Sequence, residues 1–299
     1  MRIFTKEALI SELIAICNDG WIESCRKPGN DGAVGNTLEQ LLGISENNLP
    51  LPNAAEWELK GQRRKTRSLV TLFHKDPSPQ ALGLVNNLLL VHYGWPLEGH
   101  PNEWSYRQTI STLAPSDRGF QVVIDEYEQK IMISFDASAV STKHRDWLHS
   151  VEQRVGLGQL NPQPYWGFSD LEYKAGTKLR NTFFVLADSK VQGNVEYFRY
   201  NGILMLQTFS FEKFLAALKQ GFIKVDFDAR SGHGRPAHNH GTKFRVSANL
   251  LPTFYETVKV ILDNPLTSKE RLKKIDVMRV RKPYEQLERI IEEGPTILE

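Results

Sequence analysis

Glu58 and Lys60 stand two positions apart in Trp57-Glu58-Leu59-Lys60, a segment whose alternation reads as a β-strand. On a strand the two heads project together, while Trp57 and Leu59 point into the core. A rise of about 3.3 Å per residue puts their Cα atoms roughly 7 Å apart. A carboxylate and an amine so placed suit metal-assisted cutting of a phosphodiester. The carboxylate holds a hard divalent cation, and the lysine orients or activates the attacking water. Basic residues crowd the stretch from Lys60 to Arg67, and Gln62, Arg63 and Arg64 follow the pair directly, as contact with a phosphate backbone would need. Taken alone, Glu-x-Lys is better read as an ordinary ion pair on a solvent-facing strand. The neighbourhood is what favours chemistry.

Glu39 and Asn53 belong to that neighbourhood. Asn36-Thr37-Leu38-Glu39 fits a capping box, with Glu39 bonding back to the Asn36 N–H, and it equally fits a helix carboxylate near a metal. Asn53 lies five positions before Glu58, where a metal-dependent nuclease wants aspartate. Asparagine offers a neutral carbonyl oxygen and no charge, and a turn after Pro52 is its plainest role.

A second dense segment runs from Asp226 to Arg245. Arg230, His233, Arg235, His238, Asn239 and His240 are of types that read base edges, and Lys243 and Arg245 on the following strand can hold phosphates. A zinc site from His233, His238 and His240 is disfavoured, because no cysteine is near and the spacing matches no structural zinc pattern. The plainest alternative is a soluble hairpin loop. Asp226 and Asp228 share a strand face and are expected to pair with nearby arginines. Lys178 and Arg180 precede an apolar strand and are expected to direct charge toward Glu58 and Lys60, although basic residues at strand starts are common without function.

The elements that must position these residues follow from periodicity. A helix is predicted from Lys6 to about Asn18, capped by Thr5, with Leu9, Leu13, Ile14 and Ile16 along its apolar stripe. A glycine-studded loop and a short helix opening at Asn36 come next, then strands at 56–61 and 68–73. Residues 84–165 read as added material holding a hairpin (120–124 with 130–135) and a helix near 144–155. A buried strand at 182–187, a hairpin about Asn201-Gly202 and a helix at 211–220 capped by Ser210 follow. Strands at 222–228 and 243–248 and helices near 252–263 and 283–293 complete the pattern. Strands separated by helices indicate a mixed α/β or α+β fold. The lobe boundary is expected near residue 165, dividing 1–165 from 166–299.

The 299 residues, 40% hydrophobic and 24% charged, can bury a sizeable core. No apolar run approaches the roughly 20 residues of a membrane helix, and the start lacks a signal-peptide core, so no membrane association is expected. Two cysteines are compatible with a reducing cytoplasm. A formal charge of +2 announces no polyanionic partner by itself; the clustering at 60–67, 224–245 and 269–282 does more.

With these residues in view, the chain resembles the MvaI/BcnI-type restriction endonucleases, relatives of the MutH mismatch-repair nicking enzyme in the PD-(D/E)XK nuclease superfamily. The resemblance rests on Gly35-Asn36-Thr37-Leu38-Glu39-Gln40-Leu41-Leu42-Gly43-Ile44, Trp57-Glu58-Leu59-Lys60-Gly61-Gln62-Arg63 and Ser68-Leu69-Val70-Thr71-Leu72-Phe73. It continues through Lys178-Leu179-Arg180-Asn181-Thr182 and the run from His238 to Arg245. It implies a magnesium-dependent endonuclease acting on double-stranded DNA as a monomer, nicking each strand in turn at a short, nearly symmetric site. The core would be a mixed β-sheet flanked by helices, with two lobes around a DNA cleft, the N-terminal lobe cutting and the C-terminal lobe reading. Glu58 would ligate the metal, Lys60 would act on the water, Glu39 would lie near the metal, and 233–245 would touch DNA. Asn53 departs from the pattern. It implies an inactivated variant or a protein that binds without cutting, and the intact Glu58 and Lys60 favour the former.

Overall fold

A computed structural model describes residues 4–44, 52, 54, 56–232 and 235–264. Asn53, His233 and the predicted helix at 283–293 lie outside these, as does the side chain of Arg235. In chain order the elements are α1 (Lys6–Asn18), β1 (Ile22–Glu23), α2 (Ala33–Leu41), β2 (Glu58–Arg63), β3 (Val70–His74), α3 (Val91–Tyr93), β4 (Trp95–Leu97) and β5 (His100–Ile110). Next are β6 (Phe120–Asp125), β7 (Lys130–Phe135), α4 (Arg145–Val155), β8 (Tyr165–Gly167), α5 (Phe168–Leu179), β9 (Asn181–Gln192) and β10 (Val195–Phe209). The last are α6 (Phe211–Lys219), β11 (Lys224–Gly232), β12 (Arg235–Asn239), β13 (Lys243–Val246) and β14 (Tyr255–Asp263). The fold is mixed α/β, as the alternation predicts.

Two compact units divide the chain at 70/71, 174/175, 213/214 and 246/247, so the expected boundary near 165 falls inside the second. The first unit holds a sheet in the order β1-β10-β9-β2, with β14 on the far side of β10. β2 runs parallel to β9, setting Glu58 opposite Thr182 and Arg63 opposite Ala187. β9 and β10 form an antiparallel hairpin. α1 keeps its predicted bounds because Thr5 Oγ1 accepts from the Ala8 N–H at 3.2 Å and Leu9, Leu13 and Ile16 are buried. Ile14, expected on the buried stripe, is instead exposed. Trp57, Leu59, Phe183 and Val185 join the same core, with the Trp57 and Phe183 rings 4.5 Å apart.

Three local expectations are corrected. α2 opens at Ala33, so Asn36 lies inside it and its N–H bonds Gly32 O at 3.0 Å; the Asn36–Glu39 capping box does not form. Asn201-Gly202 is a register irregularity inside β10, while the hairpin turns at Gly193, whose φ of 60° a glycine tolerates. Residues 255–263, expected to be helical, form β14. Thr257, Val258, Val260 and Ile261 suit an edge strand, and pairing along β10 satisfies the backbone.

The second unit carries a sheet in the order β3-β13-β11-β5-β4, with β12 on β11, and a separate sheet β6-β7-β8. Residues 84–165 are thus woven in rather than appended: β5 hydrogen-bonds along β11 from Arg230–Ser105 to Val225–Ile110.

Candidate active site

Glu58 opens β2 with its side chain only 2% exposed. Its Oε1 is 2.7 Å from Lys60 Nζ, so the period-two geometry brings the pair together as predicted. Its Oε2 is 3.0 Å from Lys178 Nζ. Lys178 occupies the last turn of α5, just before the chain enters β9, and β9 is the strand paired with β2. Chain continuity therefore carries its amine back to Glu58. That second contact is an ion pair without a well-directed hydrogen bond, so buried Oε2 keeps acceptor capacity.

Beneath the carboxylate, Thr182 Oγ1 and Tyr255 OH lie 2.7 Å apart, both fully buried. Burial pushes the Tyr255 phenol well up; the Thr182 hydrogen bond opposes this and the Glu58 charge adds to it. Tyr255 therefore stays protonated at neutral pH. Sequence alone gives neither residue a role, and the helix expected over 252–263 places Tyr255 away from β2, whereas it opens β14.

Glu39 is brought toward this strand by α2. Arg63 Nη2 and Nη1 donate to Asn30 O (2.8 Å) and Asp31 O (3.2 Å) just before the helix. Further on, Gly35 packs on Gly61 so closely that a Cβ at 61 would sit 2.9 Å from Gly35 Cα. α2 thus runs antiparallel to β2, and its next turn carries Glu39 toward the Glu58 half of the strand. Glu39 lines a pocket of about 500 Å³ with Cys25, Arg26, Asn36, Gln40, Gly43 and Ile44, a lining that includes neither Glu58 nor Lys60. Among the described residues, no three His, Cys, Asp or Glu side chains converge as a metal nest.

Three residues expected to meet DNA are engaged by the protein itself. Gln62 is buried, with Nε2 donating to Ser68 O at 2.8 Å. Arg63 makes a bidentate pair with Glu196, both distances 2.8 Å. Arg64 donates to Asn201 Oδ1 at 2.7 Å and to Asp263 Oδ1 at 2.6 Å, and it occupies the space a side chain at Gly202 would need. Lys65 and Arg67 are the exposed cations of this run.

In the second unit, β11 buries Val225, Phe227 and Ala229 and turns Asp226, Asp228 and Arg230 to the other face. Arg245 Nη1 meets Asp226 Oδ2 at 2.7 Å, Arg107 Nε meets Asp228 Oδ1 at 2.8 Å, and Lys243 Nζ lies 3.5 Å from Asp228 Oδ2. The two aspartates are therefore arginine partners, as expected. Arg230 is exposed and sits opposite His238 in the β11–β12 register. The His238 and His240 rings are 4.3 Å apart. Burial lowers the His240 pKa, nearby Asp228 opposes this, and His238, Arg230 and Lys243 add to the lowering. Asn239 is differently employed. Its Nδ2 donates to Asp76 Oδ2 (2.8 Å), and Asp76 Oδ1 accepts from the Thr242 N–H and hydroxyl. Asp76, unremarked in the sequence, thus anchors the 239–242 turn.

The fold is that of a restriction endonuclease. The structure matches "Restriction endonuclease MvaI-cognate DNA substrate complex" with a TM-score of 0.69 and 24% identity, covering 87% of this chain and 100% of that one. MvaI in the absence of DNA also matches, with a TM-score of 0.48, 24% identity, and coverage of 88% and 100%. No curated protein matches the sequence. The model of the MvaI/BcnI restriction endonuclease family matches residues 10–255, and the chain belongs to that family. It is a site-specific DNA endonuclease of type II, a phosphodiester hydrolase.

Proposed function

We propose that the protein is a magnesium-dependent, MutH-like endonuclease of the PD-(D/E)XK type, acting as a monomer on short sites in double-stranded DNA in the cytoplasm. The first unit would cut and the second would read. The observation that carries this reading is the Glu58 carboxylate, buried yet 2.7 Å from the amine of Lys60 on the same strand face.

Glu58 would hold the cation, with Asn53 and Glu39 as the further oxygen donors; the acceptor capacity left on Oε2 fits such a role. When bound, the cation supplies Lewis-acid stabilisation of the phosphoryl oxygens. The chain's own residues do the rest. Lys60, held by Glu58, orients a water in line with the phosphorus and stabilises its hydroxide character. The water oxygen forms the new P–O bond, the bond to the leaving sugar oxygen breaks with its electron pair, and the water's proton passes to solvent. Lys65, Arg67, Lys243 and Arg245 would offset backbone charge, while Arg230, His233, Arg235, His238 and His240 would face the bases. No helix among the described residues is long and apolar enough to cross a membrane.

Cleavage would be impaired in this sequence. Asn53 withholds one negative charge from the cation, and Lys178 sets a positive charge 3.0 Å from Glu58 Oε2. The same two features favour a second reading, a protein that binds a DNA sequence or base modification without cutting. A mixed-sequence DNA library incubated with magnesium and the Asn53→Asp protein, then sequenced at its ends, decides between them. Ends at one recurrent motif are the expected outcome. Motif-specific retention on the protein with intact DNA would establish the binder instead.

A further inference from the structure

β5 comes from the stretch 84–165, to which the sequence assigned no role, and it lies beside β11 with Arg107 directly opposite Asp228. The two side chains share the face that carries Arg230, because directly paired residues project to the same side. Arg107 Nε lies 2.8 Å from Asp228 Oδ1 in an ion pair, while the arginine side chain remains 54% exposed. The other carboxylate oxygen, Oδ2, faces Lys243. Asp228 therefore holds Arg107 by its inner nitrogen. The pair is made through Nε, which leaves the Nη1 and Nη2 fork for a ligand. A planar fork of that kind matches the O6 and N7 acceptors on the major-groove edge of guanine. So exposed an ion pair adds little to stability.

We propose that Arg107 is a base-reading residue that selects a guanine, with Asp228 as its positioning residue. This inference rests on the reading of the second unit as the DNA-reading part. It also gives residues 84–165 a function, since they supply the strand next to β11.

The test selects duplexes that bind the full-length protein from a random library, for the wild type and for Arg107→Lys. Lysine keeps the charge but loses the fork. At one guanine position, and at its symmetry mate in a nearly symmetric site, the preference should fall by roughly 5- to 150-fold. In parallel, 7-deazaguanine is placed at each selected guanine in turn and binding to unmodified protein is measured. One position should weaken several-fold for the wild type and not for Arg107→Lys, a pattern that a folding defect would not produce. Unchanged guanine preference in Arg107→Lys, or no position at which the two proteins differ in their response to 7-deazaguanine, overturns the assignment. If the wild type selects no sequence at all, the DNA-reading role of the second unit fails first.

Discussion

Lys178 Nζ and Glu58 Oε2 meet at 3.0 Å, joining a helix end and a strand start that are far apart in the chain. With Lys60 on Oε1, the buried carboxylate is compensated from both sides. Removing one partner of a buried pair strands charge. Lys178→Met should therefore lower stability by on the order of 2 kcal/mol, less than for an isolated pair because Lys60 remains. Urea unfolding measures it, and an unchanged midpoint would mean that Lys178 is not needed to balance Glu58.

The contact of α2 with β2 is equally specific. A methyl at position 61 would sit 2.9 Å from Gly35 Cα, against backbone that cannot rotate away. Gly61→Ala should cost about 1–3 kcal/mol and displace Glu39 from β2. Thermal unfolding reads the first effect; DNA cleavage in the Asn53→Asp background should fall with it.

The basic run after Lys60 divides into two classes. Arg63 is locked to Glu196 in a pair only 11% and 5% exposed, so Arg63→Ala should destabilise by about 3–5 kcal/mol. Arg67 is exposed. Arg67→Ala should leave stability within about 0.5 kcal/mol and reduce the slope of log affinity for DNA against log salt by roughly 1. Equal effects of the two substitutions on stability would contradict this division.

What could be seen in the sequence was what local geometry decides. α1 and its Thr5 cap, and the shared face of Glu58 and Lys60, depend on residues two to four positions apart. What escaped depends on distant partners. Arg63 and Arg64 look like phosphate ligands until Glu196, Asn201 and Asp263 arrive beside them. Residues 255–263 become a strand only because β10 offers an edge. Lys178 was legible as a cation just before an apolar strand, but its pairing with Glu58 required the parallel register of β2 and β9. Residues 84–165 had no visible purpose until β5 lay along β11.

The reaction centre itself is tested most directly with supercoiled plasmid and magnesium. Three proteins are compared: Asn53→Asp alone, and the same change combined with Glu58→Gln or with Lys60→Met. Nicked and then linear product is expected from the first, and initial rates at least about 100-fold lower from the other two, as loss of a metal ligand or of the water-orienting group requires. Cleavage that persists at similar rates in both combined variants, or its absence in all three, would contradict this expectation.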